Sequence, residues 1–163
     1  MIRSESETLY PLEFDLNDEY KTGFAYGITT GGIPLAAIAV PPWGPPLGEK
    51  SAIIWHERLY LLAAKRVACF SLKPFALIRS VDVGSVCCFG LHLVPTRDML
   101  ICHGEMDITR LSADVEIIWQ QGGRDILAGR FTLGADYIEV IDFNDDLYRF
   151  DYGTGQPLAA PLP

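Results

Sequence analysis

From residue 23 almost to its end the chain alternates short apolar runs with polar or glycine-bearing interruptions, and no stretch sustains the 3.6-residue period of an amphipathic helix. The runs after Ser51 are AIIWH, RLYLLAA, VACFSL, FALIRSV, SVCCFGLHL, DMLICHG, DVEIIWQ, DILAGRF, DYIEVIDF and DLYRFDY. All are of strand length and rich in β-branched and aromatic residues, and most are bounded by turn formers. Ahead of them GFAYGIT and IPLAAIAV flank Thr30-Gly31-Gly32, where two glycines supply the positive φ of a tight hairpin. The pattern predicts an all-β fold, a meander of antiparallel hairpins closed as two packed sheets or a partly open barrel.

Two segments interrupt the pattern. Residues 1–22 are polar and acidic and read as an N-terminal arm, leaving residues 23–163 as one β domain. Within it, VPPWGPPLGEK places a Pro-rich loop at 41–48, because proline lacks the backbone donor and breaks any ladder. Trp43 is the one large side chain in that loop, either pinned to the body or offered as a recognition anchor.

Turn chemistry sets the expected registers. Gly122-Gly123 is expected to join DVEIIWQ to DILAGRF, and Asn144-Asp145 to join DYIEVIDF to DLYRFDY, each as a two-residue loop. The second turn would put Tyr137, Glu139, Ile141 and Phe143 on one face with Tyr148, Phe150 and Tyr152, and Val140, Asp142, Arg149 and Asp151 on the other. The aromatic face is then core by default, or a protein-binding patch if the hairpin stands at an open edge. Ile-Ile-Trp at 53–55 returns at 117–119, each time ahead of a polar turn, which suggests a hairpin-sized repeat unit.

Composition narrows the class. A chain of 163 residues with 49% hydrophobic content can bury roughly 70% of its unfolded surface around one core without staples. Cys69, Cys87, Cys88 and Cys102 lack regular ligand spacing and read as reduced thiols. With neither a cationic, apolar leader nor a membrane-length apolar run, the expected location is the cytoplasm. The net charge of -8 disfavours nucleic acid and anionic membrane and favours a basic partner. That charge is uneven: seven acids face two bases in residues 1–49, two face seven in 50–97, and twelve face four in 98–163. Either the molecule carries complementary faces or its acidic end serves a basic partner.

The C-terminal DLYRFDYGTGQPL resembles the end of a quinoprotein-type β-propeller repeat, in which a Leu-Tyr strand runs into Asp, then Thr-Gly, then a Pro-Leu entry to the next blade; Tyr148, Asp151, Thr154, Gly155 and Pro157 carry the likeness. It covers residues 146–158 and implies blade-like hairpins and a turn geometry, with no cofactor site. A complete propeller needs about four blades of about 40 residues, and residues 51–155 supply about two and a half. The longer stretch from Gly122 is similar to the ends of small uncharacterised bacterial β-rich proteins, some of them immunity-type, which implies a protein partner.

Candidate chemistry is sparse. A three-residue loop centred on Thr96 would set His92 opposite Leu100 and Gly90 opposite Cys102, bringing Cys88, His92 and Cys102 to one sheet face as soft metal ligands. Buried cysteines without metal are the commoner outcome. DFNDD opens like a calcium loop but has Leu147 where glycine is needed and Gly153 where the closing glutamate is needed. Nucleophile elbows, phosphate loops and dinucleotide fingerprints are absent from the sequence. The leading expectation is therefore a non-catalytic protein-binding module that needs no cofactor, contacting a basic partner through Trp43, Asp142, Asp145, Asp146, Tyr148 and Asp151, with an immunity-type inhibitor as one form. The alternatives are a metal-binding protein or small hydrolase using Cys88, His92 and Cys102, and a structural subunit that self-associates into a homo-oligomer.

Overall fold

The computed structural model describes residues 10–17, 23–44, 46–84 and 86–159. Fourteen strands among them form four small sheets, in the strand orders given below, and none is closed into a barrel. The all-β hairpin meander and the unclosed, blade-like arrangement are both present, with the strands shared among four sheets rather than two.

The first sheet contains β1 (Glu13–Asp15), β2 (Phe24–Thr30) and β3 (Ile33–Val40), in the order β1-β3-β2. Gly31 and Gly32 take φ of 56° and 80° and close the β2–β3 hairpin as their sequence requires. Part of the stretch read as an arm is thus built into the sheet: β1 pairs parallel with β3, so it departs from the antiparallel meander, and its central residue Phe14 packs edge-on against Phe70 and Phe75. The remainder of that arm, residues 1–9 and 18–22, lies outside the described residues.

The second sheet is a four-stranded meander of β4 (Ala52–Trp55), β5 (Arg58–Ala63), β6 (Arg66–Leu72) and β7 (Phe75–Asp82). The third repeats the plan with β8 (Cys88–Val94), β9 (Met99–Gly104), β10 (Asp107–Leu111) and β11 (Ile117–Gly122). The fourth has β12 (Phe131–Leu133), β13 (Tyr137–Ile141) and β14 (Leu147–Asp151), extended by a bridge from Phe150 to Pro157. That bridge places Gln156 to Leu158 as a rudimentary fourth strand, held by Asp151 N–H to Gln156 O and Leu158 N–H to Arg149 O.

The sheets stack face on face in chain order, and each adjoining pair shares one apolar cluster. Leu16, Ile38, Leu61, Phe70 and Phe75 fill the space between the first and second sheets. Tyr60, Val67, Cys69, Leu91, Leu100 and Cys102 fill that between the second and third. Ile101, Ile108, Ile138, Val140, Phe150 and Tyr152 fill that between the third and fourth. Neighbouring residues of β5 therefore point into different clusters, Leu61 toward the first sheet and Leu62 toward the third, which is why RLYLLAA is apolar without interruption.

Three expectations need correction. Gly122-Gly123 does not form a hairpin turn; β11 ends there at the edge of the third sheet, and residues 123–130 cross to the fourth with Leu127 buried on the way. DILAGRF accordingly contributes only its last residue to a strand, and β10, which the apolar pattern does not mark, takes the interior place. The two Ile-Ile-Trp tripeptides are not equivalent: Trp55 ends the first strand of its sheet, whereas Trp119 lies in the last strand of the next. Trp119 donates its indole N–H to Tyr152 O and lies against Gly155, whose φ of 70° and missing Cβ admit the ring; a Cβ there would stand 2.7 Å from it.

Candidate binding surface

The connection between β13 and β14 spans five residues, 142–146, because Ile141 pairs with Leu147. A two-residue loop on Asn144-Asp145 would have set Ile141 against Tyr148; the longer connection slips the register by one and turns β13 over relative to β14. Ile138 and Val140, not Tyr137, Glu139 and Ile141, therefore share the core face with Tyr148 and Phe150. Tyr148, Phe150 and Tyr152 stay together in one cluster, as the aromatic pattern indicated.

The loop is organised by Asp142, which is 2% exposed. Its Oδ1 accepts the backbone N–H groups of Asn144 at 2.8 Å and Asp146 at 2.9 Å, and its Oδ2 accepts the Tyr148 hydroxyl at 3.0 Å. The Tyr148 oxygen in turn accepts Arg124 N–H at 3.2 Å. Partial burial, assisted by the Asp142 carboxylate, raises the Tyr148 phenol above its ordinary value. Asn144 donates to Asp125 Oδ2 at 2.7 Å, tying the loop to the crossover, and Phe143 N–H donates to Ile126 O. Asp142 and Tyr148 thus hold the tip in place.

What the tip presents is Phe143, 75% exposed, with Asp145 and Asp146 also exposed and Asp125 tethered beside it. Asp145 sits at φ 65°, a left-handed conformation that aspartate tolerates better than most residues. An adjoining cleft of about 220 Å³ is lined by Arg124, Asp146, Leu147 and Tyr148. The sequence pattern alone places Phe143 on the core face; the odd length of its loop frees it.

The remaining candidates are dispersed. Asp151 accepts the backbone N–H groups of Gly153 and Thr154 and the Thr154 hydroxyl on one oxygen, and these bonds, those to Thr154 first, hold its carboxyl below the usual carboxylate range. The turn that carried the propeller likeness is therefore an aspartate-capped turn. Trp43 is half-buried, with its indole nitrogen shielded, in a loop whose Gly44 abuts Ala64; it lies in another part of the stack from the Phe143 tip.

Cys88, His92 and Cys102 do not converge. The 3-10 turn Pro95–Arg97 and left-handed Asp98 lengthen the β8–β9 connection to four residues, so Leu91, not Gly90, pairs with Cys102 and His92 pairs with Ile101. A bulge between Cys88 and Gly90 returns Cys88 to the face of Cys102, toward the second sheet, while His92 points to the fourth. Among the described residues no three His, Cys, Asp or Glu side chains are grouped to hold a metal ion. His92 instead lies 4.4 Å from the Phe131 ring and 6.4 Å from that of His103, centroid to centroid, with its Nε2 buried and unpartnered. Burial, then His103, then Lys50 depress its pKa to about 4. His103 bonds Leu127 O at 2.7 Å, and burial likewise lowers its pKa.

Comparison with known proteins returns no match to any protein-family model and none to a curated protein. Solved structures do resemble the chain in fold. The computationally designed Ika4 protein aligns with a TM-score of 0.55 at 11% identity, over 71% of this chain and 76% of that one. BamB from Moraxella catarrhalis, a β-propeller, aligns with a TM-score of 0.54 at 17% identity. That match covers 78% of this chain but 40% of BamB, so the chain spans less than half the length of that protein. The likeness supports blade-like sheets and is one of fold alone.

Proposed function

We propose that this protein is a non-catalytic binding module that takes a basic segment of a protein partner on the tip formed by Phe143, Asp145 and Asp146. The observation that carries the reading is the 75% exposure of Phe143 on a loop whose backbone is fixed by Asp142. A large apolar side chain held out on an ordered turn is pre-organised to enter a pocket, so binding loses little loop entropy. The acids around it would steer a cationic surface inward and discriminate against acidic ones. An inhibitor of a basic protein, of the immunity type, is the specific form that suits this chemistry. A reducing, cytoplasmic setting accords with four thiols that remain free in the fold. No helix among the described residues is long and apolar enough to cross a membrane.

The test begins with a photo-crosslinking amino acid at position 143, used in cells to capture and identify the partner. Calorimetry of the purified pair should then show binding that weakens with added salt. Phe143→Ala should cost at least tenfold in affinity, and Asp145→Asn with Asp146→Asn should lower the association rate at low salt. Binding indifferent to all three substitutions, or equal at low and high salt, would remove this reading.

A further inference from the structure

A second concavity lies at the opposite end of the strands from the Phe143 tip. His56 meets Asp98 and Arg97 meets Asp136, so the β4–β5, β8–β9 and β12–β13 turns line up at one end of the stack, while the tip is the β13–β14 turn at the other. At that end the β4–β5 turn, His56-Glu57, and the β6–β7 turn, Lys73-Pro74, stand side by side, joined by Leu72 N–H to Glu57 O at 3.3 Å. Residues of both line a cleft of about 520 Å³, against about 220 Å³ for the one beside Tyr148.

The cleft is built from fixed groups. His56 and Glu57 sit at φ 49° and 57° in a two-residue hairpin turn, where Asn-Gly is the usual pair and where a glutamate carries backbone strain. The His56 ring is held by Asp98 at 2.8 Å and lies 4.5 Å from the Trp55 ring. Arg58 is committed to Ala113 O at 2.8 Å and to Asp114. Both of these bases are therefore matched by acids of the third sheet. Glu57 and Lys73, by contrast, are exposed and make no ion pair with each other or with any described residue. The lining thus offers one unmatched negative and one unmatched positive charge, with no net excess of either. Its apolar surface comes from Ile54, 69% exposed, Ile78, 46% exposed, and Leu72.

From this lining we infer a small-molecule site for an apolar zwitterion of the amino-acid or short-peptide class, with its carboxylate on Lys73, its ammonium on Glu57 and its side chain over Ile54 and Ile78. A plain anion would leave Glu57 facing a like charge, and a plain cation would leave Lys73 doing so. A ligand that carries both charges satisfies both side chains. Apolar walls with a few polar groups that fix orientation are the usual make-up of a ligand site. The strain at His56-Glu57 accords with this role, because left-handed residues other than glycine persist where the surrounding structure holds a ligand clamp in shape. The site is independent of the tip proposed to take a protein partner.

Calorimetry and ligand-observed NMR of the full chain test this with L-leucine and the dipeptide Leu-Leu, against N-acetyl-leucine, which lacks the ammonium, and leucinamide, which lacks the carboxylate. The better of the two zwitterions should bind at least tenfold more tightly than either blocked analogue, and which of them it is tells a free amino acid from a peptide. Glu57→Gln should bring N-acetyl-leucine level with leucine, and Lys73→Gln should do the same for leucinamide, with circular dichroism and melting confirming that each variant folds. No saturable binding of either zwitterion at millimolar concentration, blocked analogues that bind as well as leucine to the wild type, or a preference unchanged in both variants would each overturn the inference. Phe143→Ala should leave leucine binding unchanged, which separates this cleft from the proposed partner site.

Discussion

At the scale of single residues, the fold commits several of its polar side chains to internal work. Asp142 and Asp151 cap turns, Glu139 pairs with both Arg130 and Arg149, and His103 bonds the crossover at Leu127. His92 differs, since its Nε2 is buried between the third and fourth sheets without a hydrogen-bond partner among the described residues. Its pKa falls to about 4, against an ordinary value of 6.5, so the folded protein holds fewer protons than the unfolded chain between those two values. Its contribution is full above pH 6.5, is lost progressively as the pH falls toward 4, and reaches on the order of 2–3 kcal/mol. Urea titrations at pH 7, 5.5 and 4 should therefore show a steeper acid loss of stability for wild type than for His92→Phe, which keeps the ring beside Phe131 and cannot be protonated. Parallel curves would show that His92 is solvated and titrates normally.

At the scale of elements, loop parity decided which parts of the site were legible. Most strand positions, though not β10 or β12, are readable because β-branched and aromatic runs alternate with turn formers, and Gly31-Gly32 announces its hairpin outright. Registers were less so. Val94-to-Met99 and Ile141-to-Leu147 connections are each longer than their turn residues suggested, and in a strand a shift of one exchanges the faces. This moved His92 away from Cys102 and Phe143 out of the core. The 3-10 turn at Pro95–Arg97 and the capping of 142–146 by Asp142 both arise from side-chain and backbone hydrogen bonds that apolar periodicity does not encode. A measurable distinction follows among acids that look alike in the sequence. Asp142→Ala strands three donors and should destabilise the protein by about 1–3 kcal/mol, whereas Asp145→Asn and Asp146→Asn should change stability by less than about 0.5 kcal/mol. Thermal melts of the three variants check this; equal losses would mean that the tip is not organised by Asp142.

For the whole molecule, the relevant fact is that apolar clusters join each sheet only to its neighbours in the stack. The second and third sheets bury both faces, which explains the unbroken apolar character of RLYLLAA and RVACF, whereas the first and fourth have one outer face each among the described residues. Stability in such an array is close to a sum of sheet and interface contributions. The inter-sheet ion pairs add little to that sum, because both partners in each are at least 30% exposed at the side chain and exposed pairs contribute about 0–1 kcal/mol. The central sheets should therefore open last. Native-state hydrogen exchange should find the slowest amides at Leu61, Val67, Ala68, Ile101 and Cys102, with β2 and β14 exchanging through smaller openings. Uniform protection from one end of the stack to the other would mean instead that the four sheets unfold as one cooperative unit, and that the interfaces between them are stronger than the sheets themselves.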